Sequence, residues 1–224
     1  MGGCYLVQSL CYFSAVEHAP PGLVALLLYT YPALVVVLGV LFMGLRLSRR
    51  AGVACAVAIT GTVLIVGPTA GAGEPIGVVY GLASAVVYAV YILIGSRVLR
   101  HTDPIPASAV IMTTAALGYC AVYALSPDRP SFPNDGTGWA AVLGIAVLCT
   151  VVAVVTFLAG LARVGPADAS TISTIEPAVS VVLSAIILGE AITGWTVCGG
   201  LLILGSVLAL SRSLTTTEVS AGRR

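Results

Sequence analysis

Long apolar segments, separated by short breaks that contain polar residues, proline or glycine, occupy most of this chain. A helix rises about 1.5 Å per residue, so about 20 apolar residues cross the roughly 30 Å hydrocarbon layer of a bilayer. Eight segments reach or approach that length: residues 2–16, 21–43, 48–67, 76–96, 104–126, 138–162, 166–188 and 194–211. The sequence therefore predicts an all-α, polytopic membrane helix bundle with eight spans.

The charged residues support this interpretation and predict an orientation. Only 8% of residues are charged, against about 25% in soluble domains. All ten basic residues are arginine, and if the spans alternate in direction only Arg129 lies on one side. The other nine are Arg46, Arg49, Arg50, Arg97, Arg100, Arg163, Arg212, Arg223 and Arg224. Because basic loops mark the cytoplasm, we expect both termini to be cytoplasmic, in a plasma membrane such as a bacterial inner membrane.

The sequence offers little support for an enzyme or for a nucleic-acid-binding protein. It contains no G-x-S-x-G, H-E-x-x-H or Walker A motif, and its two histidines, His18 and His101, fall in predicted loops. The six cysteines lie inside predicted spans without metal-ligand spacing, so they are interpreted as packing residues. The net charge of +1 argues against a nucleic-acid partner. We expect no enzymatic activity, cofactor or metal.

An internal repeat appears when the sequence is compared with itself at an offset of 145 residues. Seven of 37 aligned positions are identical, among them Pro21 with Pro166, Pro32 with Pro177, and Gly44 with Gly189; Tyr12 aligns with Phe157. The two copies lie five spans apart, an odd number, so they must cross the membrane in opposite directions. Inverted repeats of this kind are typical of secondary transporters.

The offset also predicts the domains. Residues 1–69 form an incomplete first repeat of three spans, residues 70–212 a second repeat of five spans, and residues 213–224 a cytoplasmic tail. Two complete periods would need about 290 residues, whereas the chain has 224. We therefore expect an incomplete 5+5 inverted repeat that lacks about two N-terminal helices, through a misassigned start or a real truncation.

Several motifs resemble those of the EamA-type transporters of the drug/metabolite transporter superfamily. They are segment 21–34 with its prolines Pro21 and Pro32, Ser173-Thr-Ile-Glu-Pro177, Leu188-Gly-Glu190, and the glycines Gly199, Gly200 and Gly205. The resemblance implies two inverted five-helix repeats with cytoplasmic ends, of which this chain has the third to tenth helices. It departs from the family at Gly44-Leu45, where the family usually has Gly-Glu.

The seventh span carries the first group of candidate substrate-binding residues. Glu176 is the only acidic residue near the middle of a span, and Ser173, Ser180 and Ser184 share its helical face. This polar stripe is interpreted as part of a substrate path, with Glu176 binding a cation or carrying a coupling proton. The alternative is an interhelical hydrogen-bond seam in which Glu176 caps backbone groups that Pro177 leaves free.

The fourth span carries the second group. Ser84, Tyr88 and Tyr91 share one helical face, and the tyrosines, with Tyr29 and Tyr31, are interpreted as an aromatic wall for a flat or amphipathic solute. The alternative is ordinary aromatic packing. Tyr80 on the same face is assigned to the membrane boundary, Gly77 and Gly81 to packing between helices of the chain, and Gln8, Ser9 and Tyr12 are weaker candidates.

Pro32 and Pro177 are candidate hinges, because proline removes a backbone hydrogen bond from its helix; a static kink is the alternative. The predicted function is a secondary transporter that exports small metabolites or drugs by alternating access. The predicted partners are a small-molecule substrate and the lipid bilayer, and a homodimer is left open. The rival functions are a transport-incompetent fragment, an assembly partner of a membrane complex, and a channel.

Overall fold

The computed structural model describes residues 1–44, 49–66, 74–125, 133–188, 193–195 and 197–206, and helices make up nearly all of them. In chain order the elements are α1 (Gly2–His18), α2 (Pro21–Leu28), α3 (Tyr31–Met43), α4 (Arg49–Val66), α5 (Pro75–Val98), α6 (Pro104–Leu125), α7 (Gly136–Gly144), a π-helical segment (Ile145–Val152), α8 (Ala153–Val164), α9 (Pro166–Ser173), α10 (Ile175–Leu188) and α11 (Val197–Ser206).

These elements form eight helical rods, because α2 continues into α3, α7 into α8, and α9 into α10. The first seven agree with the predicted spans to within two residues at each end. The last is described over Val197–Ser206 only. Within the described residues, four stretches are long and apolar enough to cross a bilayer, namely Leu23–Met43, Pro75–Val98, Pro104–Leu125 and Gly136–Val164. The chain is a polytopic helical membrane protein.

Two of the rods are broken at matching places. Residues 29 and 30 separate α2 from α3, and Thr174 separates α9 from α10. The offset of 145 residues carries both bounds of α2 onto those of α9, and the end of α3 onto the end of α10. Each break lies just before a proline, Pro32 or Pro177, which has no N–H to donate to the preceding turn.

Threonine hydroxyls stabilise both breaks. The Thr30 Oγ1 donates to the Leu27 carbonyl oxygen at 2.7 Å, and the Thr174 Oγ1 donates to the Thr171 carbonyl oxygen at 2.6 Å. Each of these carbonyl oxygens also accepts a 3.2 Å hydrogen bond from the backbone amide of the same threonine. Each broken rod therefore has a tight turn, closed by a threonine, two or three residues before its proline.

The long helix α5 is the central packing element, and glycines allow its neighbours to approach closely. A Cβ atom on Gly77 would lie 2.8 Å from the Ala19 Cβ, and one on Gly81 would lie 2.8 Å from the Leu27 Cδ1. These contacts confirm that Gly77 and Gly81 serve packing within the chain. Small residues at helix interfaces act in this way because the backbones can come close together.

The ends of the rods show their relative directions. Met43, at the end of α3, lines the same cavity as Gly165 and Pro166, at the start of α9. The α2–α3 rod and the α9–α10 rod therefore run in opposite directions. At the other end of the molecule His18 meets Glu74, with 3.2 Å between Nδ1 and Oε2 and a 3.0 Å bond from the Glu74 amide to the His18 carbonyl.

Candidate functional site

The two helix breaks face each other in the interior. Tyr31, at the start of α3, is buried, and its hydroxyl donates to the Ser170 carbonyl oxygen of α9 at 3.4 Å. The same hydroxyl interacts with the Ser173 side chain, while the Tyr29 hydroxyl interacts with the Glu176 carboxylate. Residues from the first broken rod therefore contact residues from the second at the level of both interruptions.

A cluster of aromatic rings extends from this junction. Tyr31 meets Tyr88 edge to face, with ring centroids 4.7 Å apart and an interplanar angle of 68°. Tyr88 is nearly parallel to Tyr91 at 5.9 Å and stacks on Phe157 at 6.3 Å. Tyr91 in turn lies 6.1 Å from Tyr5. The structure thus brings together three tyrosines of the predicted wall, and α1, α3, α5 and α8 all contribute rings to the cluster.

Glu176 lies in the first turn of α10, immediately after the break, and is exposed. Its carboxylate is within electrostatic range of the hydroxyls of Tyr12, Tyr29, Tyr31 and Tyr88. An accessible carboxylate surrounded by tyrosine rings is suited to bind an organic cation, by ion pairing and by cation–π attraction.

Ser84 is a buried candidate that bonds to a neighbouring helix. It is fully buried, accepts a 3.1 Å hydrogen bond from the Gln8 Nε2, and donates to the Gln8 carbonyl oxygen at 3.2 Å. Close by, the Tyr119 hydroxyl donates to the Ser9 Oγ at 2.7 Å. These bonds join α1 to α5 and α6. Tyr80 stacks on His18 with centroids 6.5 Å apart, at the end where His18 meets Glu74.

The remaining candidates occupy the two broken rods. The Ser173 Oγ donates to the Ala169 carbonyl oxygen at 2.9 Å. Pro32 and Pro177 are both buried in the first turns of α3 and α10. Ser180 belongs to α10, and its side chain lies outside what the structure describes; the same holds for Ser184.

The site also contains residues that the sequence does not predict. Phe157 and Tyr5 belong to the aromatic cluster, and Ser170 and Thr174 to the junction of the breaks. Phe157 could have been chosen from the sequence, because the internal repeat aligns it with another aromatic residue, Tyr12. Tyr5, Ser170 and Thr174 could not have been chosen, because nothing in the local sequence shows which helix each of them faces. Among the described residues no group of three or more His, Cys, Asp or Glu side chains is arranged to hold a metal.

Several named proteins are similar in sequence. An uncharacterized transporter of Archaeoglobus fulgidus is 28% identical over 88% of this chain and 69% of its own length. The aromatic amino acid exporter YddG of Ancylobacter novellus is 30% identical over 68% of this chain, but the match spans only 53% of the exporter. The pseudopaline exporter CntI of Pseudomonas aeruginosa is 28% identical over 95% of this chain and 72% of its own length.

The fold is also that of a solved structure. A crystal structure superimposes with a TM-score of 0.80, covering 96% of this chain and 76% of the other, at 24% sequence identity. At that identity the likeness concerns the fold alone. The model of the EamA-like transporter family matches residues 3–67 and 75–212, which is most of the chain. The chain therefore belongs to the EamA-like transporter family and is a transporter-family membrane protein, not an enzyme.

Proposed function

We propose that this chain is a secondary transporter that exports small metabolites or drugs across the plasma membrane by alternating access between inverted repeats. The observation that carries the proposal is the meeting of two broken, oppositely directed rods at one polar and aromatic junction. In transporters built from inverted repeats, substrate sites lie where discontinuous helices meet near the middle of the bilayer.

The repeat assignment, residues 1–69 and 70–212, is supported by the helix bounds. The offset of 145 residues, found in the sequence, also relates α2 to α9 and the end of α3 to the end of α10. Opposite directions for the two rods are what an in-plane pseudo-two-fold axis requires. Pro32 and Pro177 occupy equivalent positions and act as the hinges about which the half-helices move.

The proposed substrate site has a charged part and an aromatic part. Glu176 binds the cationic group of the solute or carries the coupling proton, and Ser173 and Ser180 continue its face of the rod. Tyr31, Tyr88 and Tyr91 provide the aromatic wall. Ser84 supports that wall through its bonds to Gln8. Two relatives are named as exporters of an aromatic amino acid and of pseudopaline, which supports export as the direction.

The distribution of arginines supports the proposed orientation. Arg97, Arg100 and Arg163 all lie at the end of the molecule where α3 ends and α9 begins. Basic residues concentrate on the cytoplasmic side of membrane proteins, so this end faces the cytoplasm and the His18–Glu74 end faces outward. Both termini are then cytoplasmic.

The test is a flux assay with the purified chain in proteoliposomes. Radiolabelled tryptophan, phenylalanine and a lipophilic cation serve as probes, with and without a pH gradient. We expect wild-type protein to transport at least one probe. Glu176→Gln should reduce that flux about tenfold or more, the size expected for a lost hydrogen bond to a charged group, and should abolish its response to the gradient.

The matched control is Glu17→Gln, which removes an exposed carboxylate next to His18 and should leave flux unchanged. Equal transport by wild-type and Glu176→Gln protein would exclude Glu176 from binding and coupling. A wild-type chain that transports none of the probes would instead favour the competing hypothesis of a transport-incompetent fragment or assembly partner.

A further inference from the structure

A basic cavity lies at the end of the molecule where α3, α5, α8 and α9 meet. Its volume is about 330 Å³, and Arg100 and Arg163 line it together with Ser96, Met43 and the start of α9. Within the described part of the chain neither guanidinium has a carboxylate or hydrogen-bond partner. Two unpaired arginines that share one cavity form a site for an anion, and guanidinium groups match phosphate geometry well.

The start of α9 adds to the positive potential of this cavity. Pro166 occupies the first helical position and has no N–H, whereas the amides of Ala167 and Asp168 belong to the helix turn whose donors have no intrahelical acceptor. The Asp168 carboxylate in the same turn opposes an anion. It supplies one negative charge against two guanidinium groups, so the cavity remains net positive.

An apolar groove adjoins the basic cavity. It has a volume of about 210 Å³ and runs between α3 and α5, lined by Leu38, Phe42, Val90, Leu93, Ile94 and, at its end, Arg97. Met43 lines both spaces, so the groove and the cavity are immediate neighbours. Phe42 is 74% exposed, which shows that the groove opens onto the outer surface of the bundle, where lipid acyl chains run.

We propose that this composite site binds an anionic phospholipid. Its phosphate lies between Arg100 and Arg163, and one acyl chain lies along the α3–α5 groove. The groove favours a lipid over a free phosphate ion, because an inorganic anion gains nothing from apolar walls. The arginines favour an anionic lipid over a zwitterionic one, as basic pockets between membrane helices do in general. The site is separate from the Glu176 junction and does not depend on the proposed transport activity.

The test compares phosphatidylglycerol with phosphatidylcholine of identical acyl chains, using native mass spectrometry of the detergent-purified chain. Each arginine near a lipid headgroup contributes about 1 kcal/mol. At tenfold per 1.4 kcal/mol, we expect wild-type protein to bind phosphatidylglycerol about 30-fold more tightly. Arg100→Gln and Arg163→Gln should each reduce that preference about fivefold, and the double variant should abolish it.

Two further variants separate the parts of the proposal. Arg129→Gln removes one positive charge from the opposite predicted side and should leave the preference unchanged. Ile94→Trp fills the groove and should weaken both lipids alike while the preference for phosphatidylglycerol remains. Thermal unfolding of every variant shows whether it is folded.

Three results would overturn the proposal. The first is equal binding of the two lipids by wild-type protein. The second is an Arg100→Gln or Arg163→Gln variant that behaves as Arg129→Gln does. The third is full displacement of phosphatidylglycerol by millimolar inorganic phosphate with no effect of Ile94→Trp, which would assign the cavity to a soluble anion.

Discussion

At the residue scale, the reciprocal hydrogen bonds between Gln8 and Ser84 give the clearest energetic prediction. Ser84→Ala removes a fully buried hydroxyl and leaves the Gln8 amide and carbonyl without a partner on α5. Hydrogen bonds between membrane helices average about 0.6 kcal/mol and reach about 1.7 kcal/mol. Because both bonds are lost, we expect the free energy of unfolding to fall by about 1 to 2 kcal/mol in a detergent denaturation series.

Thr114→Ala is the matched control for this change. Its hydroxyl is exposed and donates only within its own helix, to the Val110 carbonyl oxygen at 2.7 Å. Its removal should alter the free energy of unfolding by less than about 0.5 kcal/mol. If Ser84→Ala and Thr114→Ala proved equally mild, the bonds to Gln8 would not hold α1 against α5.

The candidate residues show which parts of the site the sequence could predict. Helical spacing grouped Tyr88 and Tyr91 with Ser84 on one face, and the structure places them on one side of α5 near other aromatic rings. Spacing does not reveal which neighbour covers each part of that face. Ser84 meets Gln8 whereas Tyr88 meets Phe157, because the packing of whole helices decides those contacts.

At the scale of elements, the break before Pro177 makes a prediction about motion. Pro177→Ala supplies the missing N–H, so the Ser173 carbonyl gains a helical partner and α9 becomes continuous with α10. We expect at least a fivefold loss of transport rate, with thermal stability unchanged or raised. Flux and thermal unfolding are measured on the same preparation.

Pro104→Ala is the control for a general effect of proline removal. Pro104 begins α6, where a helix needs no N–H from its first residue. The substitution should leave transport unchanged. If the Pro177→Ala variant transported as fast as the wild-type protein, the break would be a static kink and not a hinge.

The elements themselves were largely predictable, for reasons that differ along the chain. Prolines and polar breaks mark where the rods begin and end, and these signals are local. The exact position of the break in each rod is harder to predict, since Thr30 precedes Pro32 by two residues and Thr174 precedes Pro177 by three. The π-helical segment Ile145–Val152 was not predicted. A π-helix has i→i+5 hydrogen bonds, and the Thr150 hydroxyl likewise donates to the Ile145 carbonyl oxygen five residues earlier. An apolar run contains no residue pattern that predicts this spacing.

At the scale of the whole molecule, the two ends have different chemistry. One end carries Arg97, Arg100 and Arg163 around a basic cavity and the groove beside it. At the other end the His18 side chain contacts the Glu74 carboxylate. Between them the broken rods meet at the Tyr31 junction. The junction of the broken rods therefore lies between two ends of different chemistry, one of them basic and the other holding the His18–Glu74 pair.

The inverted arrangement predicts opposite exposure for two positions that the repeat aligns, Ser48 and Thr193. Single cysteines are introduced at each in a background whose six native cysteines are replaced by alanine, and intact cells are treated with an impermeant maleimide. Thr193→Cys should react from outside, whereas Ser48→Cys should react only after the membrane is opened. Glu74→Cys and Asp103→Cys, both at exposed positions, are the outward and inward controls. Reaction of Ser48→Cys and Thr193→Cys from the same side would mean that the two copies are parallel, and a transport cycle based on their inversion would have to be abandoned.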